Sequence, residues 1–163
     1  MDLRKPRPTD GPAISGLIAA CPPLDTNSAY CNLLQCTDFA DSCIVAERGG
    51  EMVGWVSGYR PPAASDKFFV WQVAVSSAAR GQRLAGRMIE ALLARPQQAG
   101  VTHLTTTITQ DNHASWGLFE GLARRWGASI DKSARFERNR HFAGAHATEW
   151  QTCIGPLPTP AHS

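Results

Sequence analysis

The sequence predicts a mixed α/β fold, a central, mostly antiparallel, twisted sheet with helices on both faces, and three features point to it. Lys67 to Val75 is nearly apolar throughout, the pattern of a strand covered on both faces. Cys43 to Glu47 and Met52 to Ser57 are β-rich runs separated by Arg48-Gly49-Gly50-Glu51, where the glycine pair suits the tight turn of an antiparallel hairpin. Leu84, Met88, Leu92 and Leu93 recur at helical spacing soon after the apolar strand and stop before Pro96. This order of strands and helices fits neither a barrel nor a doubly wound nucleotide fold.

Taken in order, Leu3 to Lys5 opens the chain as a short strand. Thr9 or Asp10 offers an N-cap for a helix through Ile14, Leu17 and Ile18, with Pro12 near its first turn and Pro22-Pro23 as its stop. Leu24 to Ser28 is polar and turn-forming, and Ser28 is placed to cap a second short helix carrying Tyr30, Leu33 and Leu34. Two helices therefore frame a loop that holds one carboxylate, Asp25. The hairpin ends at Pro61-Pro62, and Lys67 to Val75 takes the centre of the sheet. A helix from about Gln82 to Arg95 follows, then a β-rich run from Thr102 to Thr109. Asn112 caps a further helix with Trp116, Phe119 and Leu122 on one face and Gly127 near its end. Arg135 to Phe142 and Thr148 to Ile154 are expected as the last two strands, ahead of a proline-rich tail from about residue 156.

At 163 residues the chain has room for a single domain of roughly 100 to 200 residues, and 43% hydrophobic residues suffice for one core. Sixteen basic against 14 acidic residues leave +2, too little for a protein that binds nucleic acid by neutralising phosphates. All but three of those cations are Arg, which suits phosphate and carboxylate ligands. The five cysteines form no Cys-x-x-Cys pair and are odd in number, so reduced, mostly buried thiols are expected. No apolar stretch follows Met1 and no run of about 18 apolar residues occurs, so a cytoplasmic protein without a membrane partner is expected. His103, His113, His141 and His146 lack metal-ligand spacing and no metal is placed; His141 is retained as a candidate base or carboxylate contact.

The chemistry concentrates where Val73-Ala74-Val75 runs through a small-residue turn into Arg80-Gly81-Gln82-Arg83-Leu84-Ala85-Gly86-Arg87. Such a strand-to-helix turn aims free backbone N–H groups and the positive end of the helix dipole outward, which suits a phosphate. It also reads as a plain turn decorated with surface arginines.

This segment resembles the phosphate loop of the GNAT superfamily of acetyl-CoA-dependent N-acetyltransferases, Arg/Gln-x-x-Gly-x-Gly/Ala. Arg80 and Ala85 match, and Arg83 stands where the family usually has Gly. The resemblance implies acetyl-CoA as cosubstrate, its pyrophosphate held by the amides of Arg80 to Arg87 and its pantetheine arm paired with the strand at Val73 and Val75. Arg83 or Arg87 would add charge there. Asn112-His113-Ala114-Ser115-Trp116-Gly117-Leu118-Phe119 is similar to a second GNAT element, Asn-x-x-Ser/Ala-x-x-Leu-Tyr, which opens a helix beside CoA. Asn112, Ser115 and Leu118 match. Phe119 replaces the Tyr that in many relatives protonates the leaving thiolate, and a phenyl ring has no proton to give.

A more specific resemblance covers nearly the whole chain. Cys21 to Ser28, Tyr30 to Leu34, Gly54 to Pro61 and Phe69 to Val75 are similar to the bacterial diaminobutyrate acetyltransferases, which make the acetylated precursor of ectoine. This implies acetyl transfer to the 4-amino group of diaminobutyrate, and a homodimer. A diamino acid needs acids for its ammonium groups, donors for its carboxylate and an acceptor for the proton of the attacking amine. The resemblance carries these roles to Asp25, Asn27, Tyr30, Trp71 and Glu149. Gln72 joins them as a polar side chain inside the sheet that must find a partner.

The expected mechanism is direct attack in a ternary complex. Glu149 takes the proton, and a backbone N–H near Val73 or Ala74 polarises the thioester carbonyl. Transfer through a cysteine has no evident His base beside any of the five thiols. Plainer readings stand beside each residue: Asp25 as a helix cap, Tyr30 and Trp71 as packing, Glu149 on the solvent face of an edge strand. Rival functions are acetylation of a related diamino acid such as ornithine or lysine, and a non-catalytic acetyl-CoA sensor.

Overall fold

The structure, a computed structural model, describes residues 1–158, so residues 159–163 of the expected proline-rich tail lie outside it. The chain forms two compact units, one from residues 1–60 and 70–99, the other from 61–69 and from Gly100 onward.

The first unit contains β1 (Asp2–Arg4), α1 (Gly11–Ala19), α2 (Ala29–Cys36), β2 (Ile44–Arg48), β3 (Glu51–Tyr59), most of β4 (Lys67–Val75) and α3 (Leu84–Leu93). β1 and β2 pair antiparallel, with Leu3 opposite Ala46, and β2 and β3 do the same, with Val45 opposite Trp55. Gly49 and Gly50 turn that hairpin at φ +60° and +80°, a conformation in which a side chain is strained. β4 runs antiparallel to β3: Ser76 N donates to Val53 O at 2.9 Å and Gln72 N to Ser57 Oγ at 3.2 Å, four residues apart in opposite senses. Ile14, Ile18, Val45, Trp55 and Ala74 are buried together beneath α1. Under α3, a Cβ on Gly54 would lie 2.7 Å from Met88 Sδ, so the helix rests on bare strand backbone.

Asp10 occupies the N-cap position of α1 but makes no side-chain cap bond. Its carboxylate instead accepts from Arg4 at 2.8 and 2.9 Å and from Arg7 N at 2.6 Å. Arg4 also donates to Glu47 at 2.7 and 3.0 Å, pinning β1 to β2 and to the start of α1. The Arg4 hydrogen bonds hold the Asp10 carboxyl below its usual range.

The second unit contains the start of β4, β5 (His103–Thr109), α4 (His113–Trp126), β6 (Ser129–Phe136), α5 (Arg138–Phe142) and β7 (Glu149–Gly155). β7 lies between β5 and β6, antiparallel to both, with Gln151 opposite Thr107 on one side and Ser133 on the other. Here the sequence reading needs correction: the strand expected over Arg135 to Phe142 is β6 at 129–136, followed by a helical turn at 138–142. The segment Ser-Ile-Asp-Lys-Ser-Ala-Arg-Phe is mostly exposed and has no apolar alternation, so main-chain pairing with β7 makes it a strand without a side-chain signal. The turn is closed locally, by His141 N donating to Glu137 O at 2.9 Å and Glu137 N to His141 Nδ1 at 2.8 Å.

The remaining boundaries follow their local signals. α1 stops ahead of Pro22 and Pro23, Ser28 Oγ caps α2 by accepting from Cys31 N at 3.1 Å, and Gly127 ends α4 at φ +60°. Of the five free thiols, Cys21, Cys36 and Cys43 are buried. No described helix is long and apolar enough to cross a membrane.

Candidate functional site

The loop between α1 and α2 is tied to β4 at two points. Cys21 Sγ donates to Val75 O at 3.4 Å. Gln72 Nε2 donates to Asp25 O at 2.8 Å, while Gln72 Oε1 accepts from Asn27 Nδ2 at 2.7 Å. Asn27 Nδ2 also reaches Asn32 Oδ1 at 3.3 Å, and Asn32 Nδ2 donates to Ser15 Oγ at 2.7 Å. The buried Gln72 thus finds the partner its position demands. Ser28 does the capping, so the exposed Asp25 carboxylate is left without a hydrogen bond or ion pair among the described residues.

Trp71 is not core. Strand alternation buries Val70 and Gln72 and turns Trp71 outward, 46% exposed, with its ring edge-to-face on Tyr59 at 6.2 Å between centroids. Tyr30 lies outside the Gln72 network, 71% exposed on α2. An acid, an indole face and a fixed loop on one unit suit a small cationic ligand.

Beyond β4, the Val75 carbonyl accepts from Arg80 Nε at 3.3 Å as well as from Cys21, so that oxygen is already engaged. Ala74 is buried and Val73 half-buried. The loop then turns at Gly81, φ +76°, and at Arg83, φ +56°. Arg83 stands at the N-cap of α3 without a side-chain cap bond, in the left-handed conformation that the family's glycine favours. The arginine keeps the shape of the loop at a cost of about 1 kcal/mol. Leu84 and Gly86 are buried, Ala85 is half-buried and Gln82 Nε2 donates to Ala78 O at 3.3 Å. Arg83 and Arg87, four residues apart, are both exposed and make no ion pair among the described residues. Uncapped N–H groups at a helix start, flanked by two open guanidinium groups, fit an anionic diphosphate such as that of CoA.

On the second unit, Asn112 Oδ1 is taken by the cap of α4, accepting from Ser115 N at 3.2 Å, which leaves its amide nitrogen and the Ser115 hydroxyl for a ligand. Phe119 is 2% exposed and packs in the core with Leu122 and Ala123, so it has neither the position nor the chemistry of a general acid. Glu149 opens β7 half-buried, and His146 Nε2 lies 3.9 Å from its Oε1. His146 Nδ1 is 2.7 Å from the Ala147 carbonyl, which only accepts, so Nδ1 carries a proton and Nε2 faces the carboxylate. The ring rests on Phe142 at 4.5 Å. Sequence reasoning missed His146 as a partner of Glu149. Their spacing of three has no meaning in a segment without helical periodicity until the turn is seen. His141 serves the α5 turn, its Nδ1 accepting from Glu137 N.

Residues 14–123 match the Acetyltransferase (GNAT) family. The chain is 49% identical over 155 residues to the L-2,4-diaminobutyric acid acetyltransferase of Methylotuvimicrobium alcaliphilum, which spans 95% of this chain and 90% of the relative. It is 51% identical over 158 residues to the enzyme of that name from Halomonas elongata, spanning 96% and 82%. Among solved structures it is similar to the diaminobutyrate acetyltransferase of Paenibacillus lautus in complex with L-2,4-diaminobutyric acid and coenzyme A. The TM-score is 0.91 and the identity 34%, over 97% of this chain and 96% of that one. The fold expected from the sequence is the fold found. The chain belongs to the acetyltransferase (GNAT) family and, within it, to the L-2,4-diaminobutyric acid acetyltransferases.

Proposed function

We propose that the protein transfers the acetyl group of acetyl-CoA to the 4-amino group of L-2,4-diaminobutyrate, giving 4-acetamido-2-aminobutanoate and CoA, the acetylation step of ectoine biosynthesis. The supporting observation is likeness over 97% of the chain to a structure that holds both diaminobutyrate and coenzyme A. The protein is read as a cytoplasmic homodimer, and sedimentation of the purified chain at twice the monomer mass tests the dimer.

Acetyl-CoA supplies an activated acyl group and a thiolate leaving group. The loop Arg80 to Arg83, with Arg87, holds its diphosphate through backbone N–H groups and charge. The Asp25 carboxylate and the face of Trp71 take the ammonium end of the diamine. An alkyl ammonium loses its proton near pH 10, so at pH 7 freeing the attacking lone pair costs about 4 kcal/mol. Glu149 accepts that proton, directly or through one water, and orients the amine. A backbone N–H near Val73 or Ala74 donates to the thioester oxygen as charge develops there. Asn112 and Ser115 complete the cosubstrate contacts at the start of α4.

The test is release of free CoA thiol from acetyl-CoA by purified protein offered diaminobutyrate, ornithine and lysine in parallel. Selective turnover with diaminobutyrate is expected. Faster turnover with a longer diamino acid would reassign the acceptor, and CoA binding without turnover on any amine would make the protein a sensor.

A further inference from the structure

The amide of Gln72 has a fixed orientation. Asp25 O is a carbonyl and only accepts, so the group facing it at 2.8 Å must be the Nε2 donor, and Oε1 is then the atom that accepts from Asn27 at 2.7 Å. Inverting the amide would set oxygen against oxygen and N–H against N–H. Gln72 is 8% exposed, and its own backbone N donates to the buried Ser57 Oγ at 3.2 Å, so the strand that carries it is fixed as well. Behind Asn27 the contacts continue through Asn32, fully buried, to Ser15 on α1.

These contacts hold the backbone carbonyl of Asp25 and the side-chain amide of Asn27, and leave the Asp25 carboxylate untouched. We propose that Gln72 is a positioning residue for diaminobutyrate: by clamping the Asp25 carbonyl and the Asn27 amide, it sets where the Asp25 carboxylate stands and so selects the length of the diamine. The inference rests on the proposed acetylation of diaminobutyrate and deepens it. Gln72 reaches the substrate only through the loop, because each end of its amide is already engaged within the protein. A preorganised acid binds more tightly than one on a loose loop, since the loop need not be ordered when the ligand arrives. A loop freed from Gln72 would still carry its acid but would hold it at no single distance from the reacting carbonyl.

The test compares Gln72→Glu, Gln72→Leu and Asn27→Ala with wild type. Gln72→Glu keeps an acceptor for Asn27 and sets a second oxygen against Asp25 O; Gln72→Leu removes both bonds; Asn27→Ala removes one bond from the loop side. Each variant is assayed for KM and kcat with diaminobutyrate and with ornithine, for CoA affinity by titration calorimetry, and for its thermal midpoint. The expected result is a tenfold or greater rise in KM for diaminobutyrate, kcat within about threefold and CoA affinity within about twofold. The preference for diaminobutyrate over ornithine should shrink, and Asn27→Ala should add little to Gln72→Leu. An unchanged KM and preference in a folded Gln72→Glu or Gln72→Leu, or equal losses of kcat and CoA affinity, overturns the positioning role. Should neither Gln72 variant fold, Asn27→Ala decides by the same criteria. A wild type that releases no CoA with diaminobutyrate brings down the proposed function itself, whereas an active wild type with indifferent variants brings down this inference alone.

Discussion

His146 Nε2 stands 3.9 Å from Glu149 Oε1, with the opposite ring nitrogen anchored 2.7 Å from the Ala147 carbonyl. The carboxylate thus stands beside an imidazole whose orientation is fixed by the backbone. Glu149→Gln keeps the shape and removes the proposed proton acceptor. Its kcat is expected to fall on the order of a hundredfold near pH 7, and the deficit to narrow as pH rises toward about 10, where the amine loses its proton unaided. A pH profile of kcat checks this, and an unchanged rate at neutral pH removes Glu149 as the base.

Arg83 holds a left-handed backbone at φ +56° and an open guanidinium at the start of α3. Arg83→Gly should separate the two effects. Relief of the strained backbone raises the thermal midpoint, by roughly 0.5 to 1 kcal/mol of stability. Loss of the charge weakens CoA by about fivefold, near 1 kcal/mol. Differential scanning fluorimetry and calorimetric titration with CoA read the two independently, and affinity within about twofold of wild type would make Arg83 a bystander.

Gln35 on α2 is 2% exposed, and neither its Nε2 nor its Oε1 has a partner among the described residues. A buried amide without hydrogen bonds costs roughly 1–3 kcal/mol, so Gln35→Met, similar in length and apolar, is expected to stabilise the fold by up to that amount. At about 2–4 °C per kcal/mol for a chain of this size, the thermal midpoint rises by several degrees. A lower midpoint would show that the amide is satisfied in solution.

Acid stability should depend on Arg4. Its hydrogen bonds lower the Asp10 carboxyl below the ordinary value near 4. A carboxyl depressed in the folded state stabilises the protein at every pH above its unfolded value, and that contribution disappears as pH falls through the lower, folded value. Arg4→Met leaves the Asp10 and Glu47 carboxylates without this partner, so it is expected to destabilise the fold at pH 7, and the gap to wild type narrows as pH falls below about 4 and through the lower, folded value. Thermal melts from pH 2 to 7 check it, and a gap constant across that range would count against the Asp10 pairing.

The sequence was most legible where one residue type has one local use. Ser28 and Asn112 cap helices, Gly49 and Gly50 turn the hairpin, and the apolar run of β4 was read to the residue. Legibility failed where tertiary contacts decide. β6 exists because β7 offers it main-chain partners, and Asp10, written like a cap, is claimed by Arg4. At the candidate site, the chemistry of a diamine points to Asp25 with the resemblance in support, and the resemblance alone points to Trp71. What the one-dimensional pattern withheld was their presentation: which amide clamps the loop, which face of β4 the indole takes, and which histidine borders Glu149.

Gly54 sets a limit on how this protein can change. A methyl group there would meet Met88 Sδ at 2.7 Å and the Ala46 Cβ at 3.1 Å, so even alanine obliges α3 to lift or Met88 to swing aside. The same helix has Arg83 at its N-cap, so the contact between Gly54 and Met88 lies on the element that carries the end of the Arg80–Arg83 loop. Divergent relatives should therefore tolerate bulk at this strand position only together with a smaller residue at position 88.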